Sequence, residues 1–236
     1  VLTLIGVLML AAGWYLEKSY TDVLVRAVRE QDVDMDDEHA MQSMGQVLSS
    51  APEVSRDLLL HTNDGVRQLG IEILRKNPGP AAETVCLPLV EHENPRVRAA
   101  ALEAINPRAA GVGLFDAVIP RIDDDDPEVR LSSARTLARL LSATKVNGDN
   151  TRLEKVAQRR IADLIVPRIA GDDSPTVQAE LLTILDRLDH DESVNQRKAK
   201  LAELLNSEAT EAIIAGIEAV GSMGDTSHNN RMLELV

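Results

Sequence analysis

The side chains that could do chemistry here are carboxylates in runs, five histidines and one cysteine. Asp123-Asp124-Asp125-Asp126 is a block of acids that could draw a divalent cation. A hard cation needs about six oxygens or more converging on one point, and contiguous residues of a turn cannot all face it. Asp126 also precedes Pro127 and reads as a helix N-cap. The block is therefore expected to be a solvated acidic turn that favours the dipole of the following helix. Asp32, Asp34 and Asp36 alternate as in a calcium loop. Asp37, however, stands where the tight turn needs Gly, and Ser43 stands where a bidentate Glu is needed. Residues 31–38, QDVDMDDE, therefore read as an acidic linker.

None of the histidines (His39, His61, His92, His190, His228) has the i, i+4 partner of a helical zinc site. His61 and His92 are expected to make structural hydrogen bonds, with a paired metal site or proton sensor as the alternative. Cys86 lies among Val85, Leu87 and Leu89 and reads as a buried, inert thiol. A single cysteine excludes an internal disulfide and a multi-Cys zinc site, and fits a reducing compartment. The basic pairs Arg159-Arg160 and Arg197-Lys198-Ala199-Lys200 lack interleaved aromatics, and the net charge is −13. Both facts argue against nucleic acid as a partner. There is no Gly-rich phosphate loop or nucleophile elbow. The reading is a non-enzyme with no catalytic residue, cofactor or metal.

The elements that carry these residues repeat. Asn94-Pro95-Arg96-Val97-Arg98 is a helix start, with an N-cap acceptor and Pro at the first helical position. Val97, Ala101 and Ile105 then form an apolar stripe. The cassette returns as Asp126-Pro127-Glu128-Val129-Arg130 and as Ser174-Pro175-Thr176-Val177-Gln178. Rougher copies are Asn63-Asp64-Gly65-Val66-Arg67 and Ala209-Thr210-Glu211-Ala212-Ile213. From Val66 through Val97, Val129 and Val177 to Ala212 the spacings are 31, 32, 48 and 35 residues. The long interval holds an insertion near Ser142 to Gln158, with Lys145 to Asn150 read as loop.

Helices are predicted at about 38–49, 52–61, 64–76, 80–91, 94–106, 112–122, 126–142, 152–170, 174–188, 193–205 and 208–223. Apolar residues make up 44% of the chain but aromatics only 2%, so the core must be aliphatic. That composition suits stacked helices better than a β-sandwich or barrel.

Residues 1–16, VLTLIGVLMLAAGWYL, carry no charge. They span about 24 Å as a helix, against about 30 Å for a bilayer core. The run is expected to be the end of a transmembrane helix, and a chain beginning at Val1 to be a slice of a longer one. Trp14, Tyr15 and Tyr20 gather at its end, where Lys18 marks the interface. Lys18, Arg26 and Arg29 follow the span, so the C-terminal side is expected in the cytoplasm. The alternative is a buried first helix that caps the array. Residues 17–38 then form a juxtamembrane helix and acidic linker, and 39–236 the repeat domain.

Paired helices with a Pro-x-Val-Arg start and a period in the low thirties resemble short, bacterial HEAT repeats, over about residues 50–223. The resemblance implies an all-α fold: a HEAT-like α-solenoid of about five helix pairs. It also implies a ladder in which an Asp ending each first helix pairs with the Arg after the cassette Val. His61, His92, Asp124, Asp172 and Ser207 hold the Asp position, and Arg67, Arg98, Arg130, Gln178 and Ile213 the Arg position. The expected ladder residues are Asp124, Asp172, Arg67, Arg98 and Arg130. Arg98 is expected to reach Asp124 as well as lie beside His92, and Arg130 to reach Asp124 and Asp172. Only Asp124 and Arg130 keep both partners in one repeat, so the ladder reads as partial.

The junction Trp14-Tyr15-Leu16-Glu17-Lys18-Ser19-Tyr20 also resembles bacterial transporters similar to ATP/ADP translocases, within the major facilitator superfamily. In these a last transmembrane helix leads through an acidic linker into HEAT repeats. None of the transporter's substrate residues lie in this stretch. The expectation is a protein-binding scaffold on the cytoplasmic face of a membrane protein. The alternative is a soluble HEAT protein of the phycobilin-lyase-like or DNA-glycosylase-like class.

Overall fold

The computed structural model describes residues 52–76, 80–106, 112–146, 155–188 and 194–224, with isolated positions at 228, 231 and 233. Among them every regular element is helical. The chain divides into two compact units, Val1–Ala109 and Ala110–Val236.

The first unit contains α1 (Pro52–Leu60), α2 (Asp64–Lys76), α3 (Pro80–Leu89) and α4 (Pro95–Ala104). Their starts follow from sequence: Pro opens α1, α3 and α4, where its missing N–H costs nothing. Each helix turns one aliphatic stripe inward. α1 buries Val54, Leu58 and Leu59; α2 buries Val66, Leu69, Ile73 and Leu74; α4 buries Val97, Ala101 and Leu102. α1 packs on α2 and α3 on α4, while α1 also packs on α3 and α2 on α4. First helices thus meet first helices, and second helices meet second helices. Asn106 is buried and donates its side-chain amide to the Arg75 carbonyl at the end of α2. It satisfies a carbonyl that the helix itself leaves open.

The second unit contains α5 (Val112–Val118), a 3₁₀ turn (Ile119–Asp123), α6 (Pro127–Val146), α7 (Lys155–Gly171), α8 (Pro175–Arg187), α9 (Val194–Leu205) and α10 (Thr210–Met223). Here α7 pairs with α8 and α9 with α10, while α8 packs on both α6 and α10. α8 is accordingly buried on most sides: Val177, Ala179, Leu181, Leu182, Ile184 and Leu185 are all inside. α10 ends on Gly224 at φ 66°, a left-handed cap that glycine adopts without a Cβ penalty.

Three local expectations are corrected. The helix predicted to 122 stops at Val118 and tightens into the 3₁₀ turn. Pro120 has no N–H to give and crowds the preceding turn. α6 does not stop at Ser142 but runs to Val146, so Lys145 and Val146 are helical, not loop. Nothing between Ser142 and Asn147-Gly148 breaks a helix. α3 and α4 end at Leu89 and Ala104, about two residues before their predicted ends.

Gly70 and Gly216 share one cassette place, four residues after Val66 and Ala212. A Cβ on Gly70 would lie 2.9 Å from Leu58 Cβ, and one on Gly216 3.2 Å from Leu204 Cβ. Glycine there lets the second helix approach the first. Gly221, on the same helix as Gly216, has nothing within 4 Å. Gly70→Ala should therefore lower stability by about 1–2 kcal/mol through overpacking. Gly221→Ala should raise it by about 0.5–1 kcal/mol through helix propensity. Denaturant midpoints of the two variants, opposite in sign, check this.

Residues 1–51 lie outside the described residues. The expected transmembrane end at 1–16, the interface residues Trp14, Tyr15 and Lys18, and the linker at 31–38 fall there. Among the described residues no helix is long and apolar enough to cross a membrane.

Candidate functional site

The turns between first and second helices share one hydrogen-bonding scheme. At the Asp position a side-chain acceptor takes the backbone N–H two residues on. His61 Nδ1 accepts from Asn63 N at 3.0 Å, and His92 Nδ1 from Asn94 N at 3.1 Å. Asp124 Oδ1 accepts from Asp126 N at 3.1 Å, Asp172 Oδ1 from Ser174 N at 2.9 Å, and Ser207 Oγ from Ala209 N at 3.1 Å. Imidazole, carboxylate and hydroxyl are equivalent here because each carries a lone pair within two bonds of Cβ.

The next residues cap the second helix. Asn63 Oδ1 accepts from Gly65 N and Val66 N, Asn94 Oδ1 from Arg96 N, and Asp126 Oδ1 from Glu128 N and Val129 N. Ser174 Oγ accepts from Val177 N at 3.4 Å. Ala209 makes no side-chain cap.

The residue after the cassette Val closes each turn from inside the helix. Arg67 Nη1 donates to His61 O at 2.6 Å, Arg98 Nη1 to His92 O at 2.9 Å, and Arg130 Nη1 to Asp124 O at 3.1 Å. Gln178, which breaks the expected Arg pattern, does the same: its Nε2 donates to Asp172 O at 2.6 Å. The requirement is a long side chain with an N–H donor reaching back six residues. Ile213 has no donor, so this bond is missing from the turn before α10.

Arg130 also joins two turns. Its Nε donates to Asp172 Oδ2 at 2.8 Å, and its Nη2 to Asp172 Oδ1 at 3.1 Å and Asp173 Oδ1 at 2.7 Å. The Arg130 side chain is 14% exposed and that of Asp172 is 6% exposed, so the fork is largely shielded from water. The hydrogen bond to Asp172 raises the Arg130 pKa above its ordinary value, so the guanidinium stays charged. Asp124 meets Arg130 through its carbonyl, whereas its own carboxylate lies 3.7 Å from Arg121. Arg67 pairs locally with Asp64. Arg98 lies in the first unit and Asp124 in the second. Arg135 is 43% exposed and bridges α6 to Glu180 of α8 at 3.2 Å.

A second tie crosses the same place. Arg168 of α7 forks onto both oxygens of Asp123. With Ile122, Asp124, Asp125, Arg130, Pro167, Gly171, Asp172 and Asp173 these residues line an open crevice of about 590 Å³. The Arg168 hydrogen bond holds the Asp123 carboxyl below its ordinary pKa. A carboxyl depressed in this way adds stability above its unfolded pKa, about 3.9, and loses it as pH falls through the folded value. Arg168→Gln should move the Asp123 titration back up toward that ordinary value, as read by carboxyl NMR. The stability change should be small, since Asp123 is half exposed.

Among the described residues no group of His, Cys, Asp and Glu is arranged to hold a metal ion. Cys86 is fully buried, and desolvation pushes its thiol up to about 12, which leaves it un-ionised and unreactive near neutral pH. Compared with known protein families, curated proteins and solved structures, the chain gives no match.

Proposed function

We propose that the chain is a non-catalytic, HEAT-like α-solenoid scaffold that binds a protein segment, carried on the cytoplasmic side of a membrane by residues 1–16. The observation that supports this reading most is the alignment of second helices, α2 on α4 in one unit and α6, α8 and α10 in the other. Helices packed in this way offer side chains from successive repeats on one continuous face, the surface on which repeat proteins bind extended partners. Glu128 and Arg135 of α6, Glu180 of α8, and Glu211 and Glu218 of α10 keep solvent access there. The ion pairs at the turns fix the helices instead of activating a substrate. The protein's net charge of −13 favours a basic or neutral partner over nucleic acid.

Photo-crosslinking side chains placed one at a time at Glu128, Arg135 and Glu218, and at Asp163 and Lys198 on first helices, test the scaffold in cells. Adducts to one protein from the second-helix positions, and few from the others, are expected. Equal yields from both sets would count against the face. Membrane attachment is tested separately by fractionation: the full chain should sediment with membranes, and a chain beginning at Gln31 should not.

A further inference from the structure

In the described turns of the first unit the acceptor is an imidazole, His61 and His92; in the second unit it is Asp124, Asp172 and Ser207. The scheme is the same but the chemistry differs. A carboxylate oxygen has more than one lone pair, so it still accepts after taking up a proton, and a hydroxyl takes up none under mild acid. Nδ1 of a neutral imidazole has a single lone pair, and that lone pair is also where the second proton binds. The Asn63 N–H and a solvent proton therefore compete for one site on His61, and the Asn94 N–H and a proton compete on His92.

We propose that these two histidines make the first unit an acid-responsive element, whose turns release on mild acidification while those of the second unit hold. A second proton converts Nδ1 from acceptor to donor and sets it against the backbone N–H it had bound. Arg67 rests on the carbonyl of His61, and Arg98 on that of His92. The acid beside His61, Asp64, is already engaged by Arg67, with Arg96 at 3.9 Å. The acids beside His92 are Glu91 and Glu93, both exposed. Opening a turn also frees the carbonyl that its arginine holds, so the connection from first to second helix loosens as a whole. The inference does not depend on which partner the scaffold binds.

Amide hydrogen exchange on the full chain, corrected for intrinsic rates, tests this at about pH 7.5 and about pH 5.5. Protection at Asn63 and Asn94 should fall about fivefold or more, the factor for one net hydrogen bond. Protection at Asp126 and Ser174 should hold. In the double variant His61→Asn, His92→Asn, an amide oxygen accepts at both pH values, so the loss should vanish. An equal fall in both units, or the same fall in the variant, would overturn the proposal. Nitrogen NMR of the wild-type imidazoles at the higher pH is a check that needs no variant. Protonated Nε2 with bare Nδ1 is expected at His61 and His92, and protonated Nδ1 would also overturn it.

Discussion

Val129→Asp should cost the second unit at least about 3 kcal/mol, because it leaves a carboxylate without a partner in an aliphatic core. Val129 is fully buried on the inner stripe of α6, beside Ser133 and Leu137. A domain of this size has about 5–15 kcal/mol in total, so the loss is a large share of it. Val97→Asp and Val177→Asp should behave alike, since both residues are equally sealed. Ala212→Asp should cost less although Ala212 is also buried. Its turn has neither a side-chain cap nor the back-reaching donor, so that helix start can shift to let the charge reach water. Urea denaturation of the four variants checks the order, and equal losses at 97 and 212 would contradict the cassette alignment.

The second large effect is expected at Arg130. The side chain does two things: it holds the Asp124 and Asp125 carbonyls of its own turn, and it forks onto Asp172 and Asp173 of the next. Arg130→Ala loses both and should cost about 1–3 kcal/mol, since Asp172 is left buried with one partner fewer. Arg130→Gln should keep the carbonyl bond, as Gln178 does naturally, and lose only the fork. A double-mutant cycle with Asp172→Ala should show coupling of about 1 kcal/mol or more. A cycle with Asp124→Ala should show little, because Arg130 touches that residue's backbone. Arg135→Ala, at a half-exposed pair, should stay within about 0.5 kcal/mol. No coupling between 130 and 172 would leave the tie between turns without energetic content.

The helices and their pairing were legible because most starts are written locally, by an N-cap acceptor, a Pro at the first position, an aliphatic stripe or a combination of these. The helix at 64–76 was placed to the residue on these signals. The end of α5 was not, since periodicity continues through Pro120 while hydrogen bonding does not. The turns were half legible. Reading the Asp position by residue type made His61, His92 and Ser207 look like departures, and Gln178 like a lost rung. Reading it by atom, as a lone pair near Cβ and a donor at the end of a long side chain, makes four of the five turns alike. The partner of Arg130 was one of two acids within reach, and only the packing of α8 against α6 chose Asp172. Long-range choices of that kind depend on how helices settle together, which no local pattern encodes.

The turn scheme has a consequence for how the chain reaches its fold. Every bond that defines a turn closes within six residues, from the acceptor to the N–H two positions on and from the donor back to its carbonyl. Closing so short a loop forfeits little chain entropy, so a helix–turn–helix pair can begin to form before distant segments meet. Nucleation is then open to several places along the chain, with the ties through Arg130 and Arg168 setting late. A chain emerging from the ribosome would have its earlier pairs shaped while the later ones were still being made.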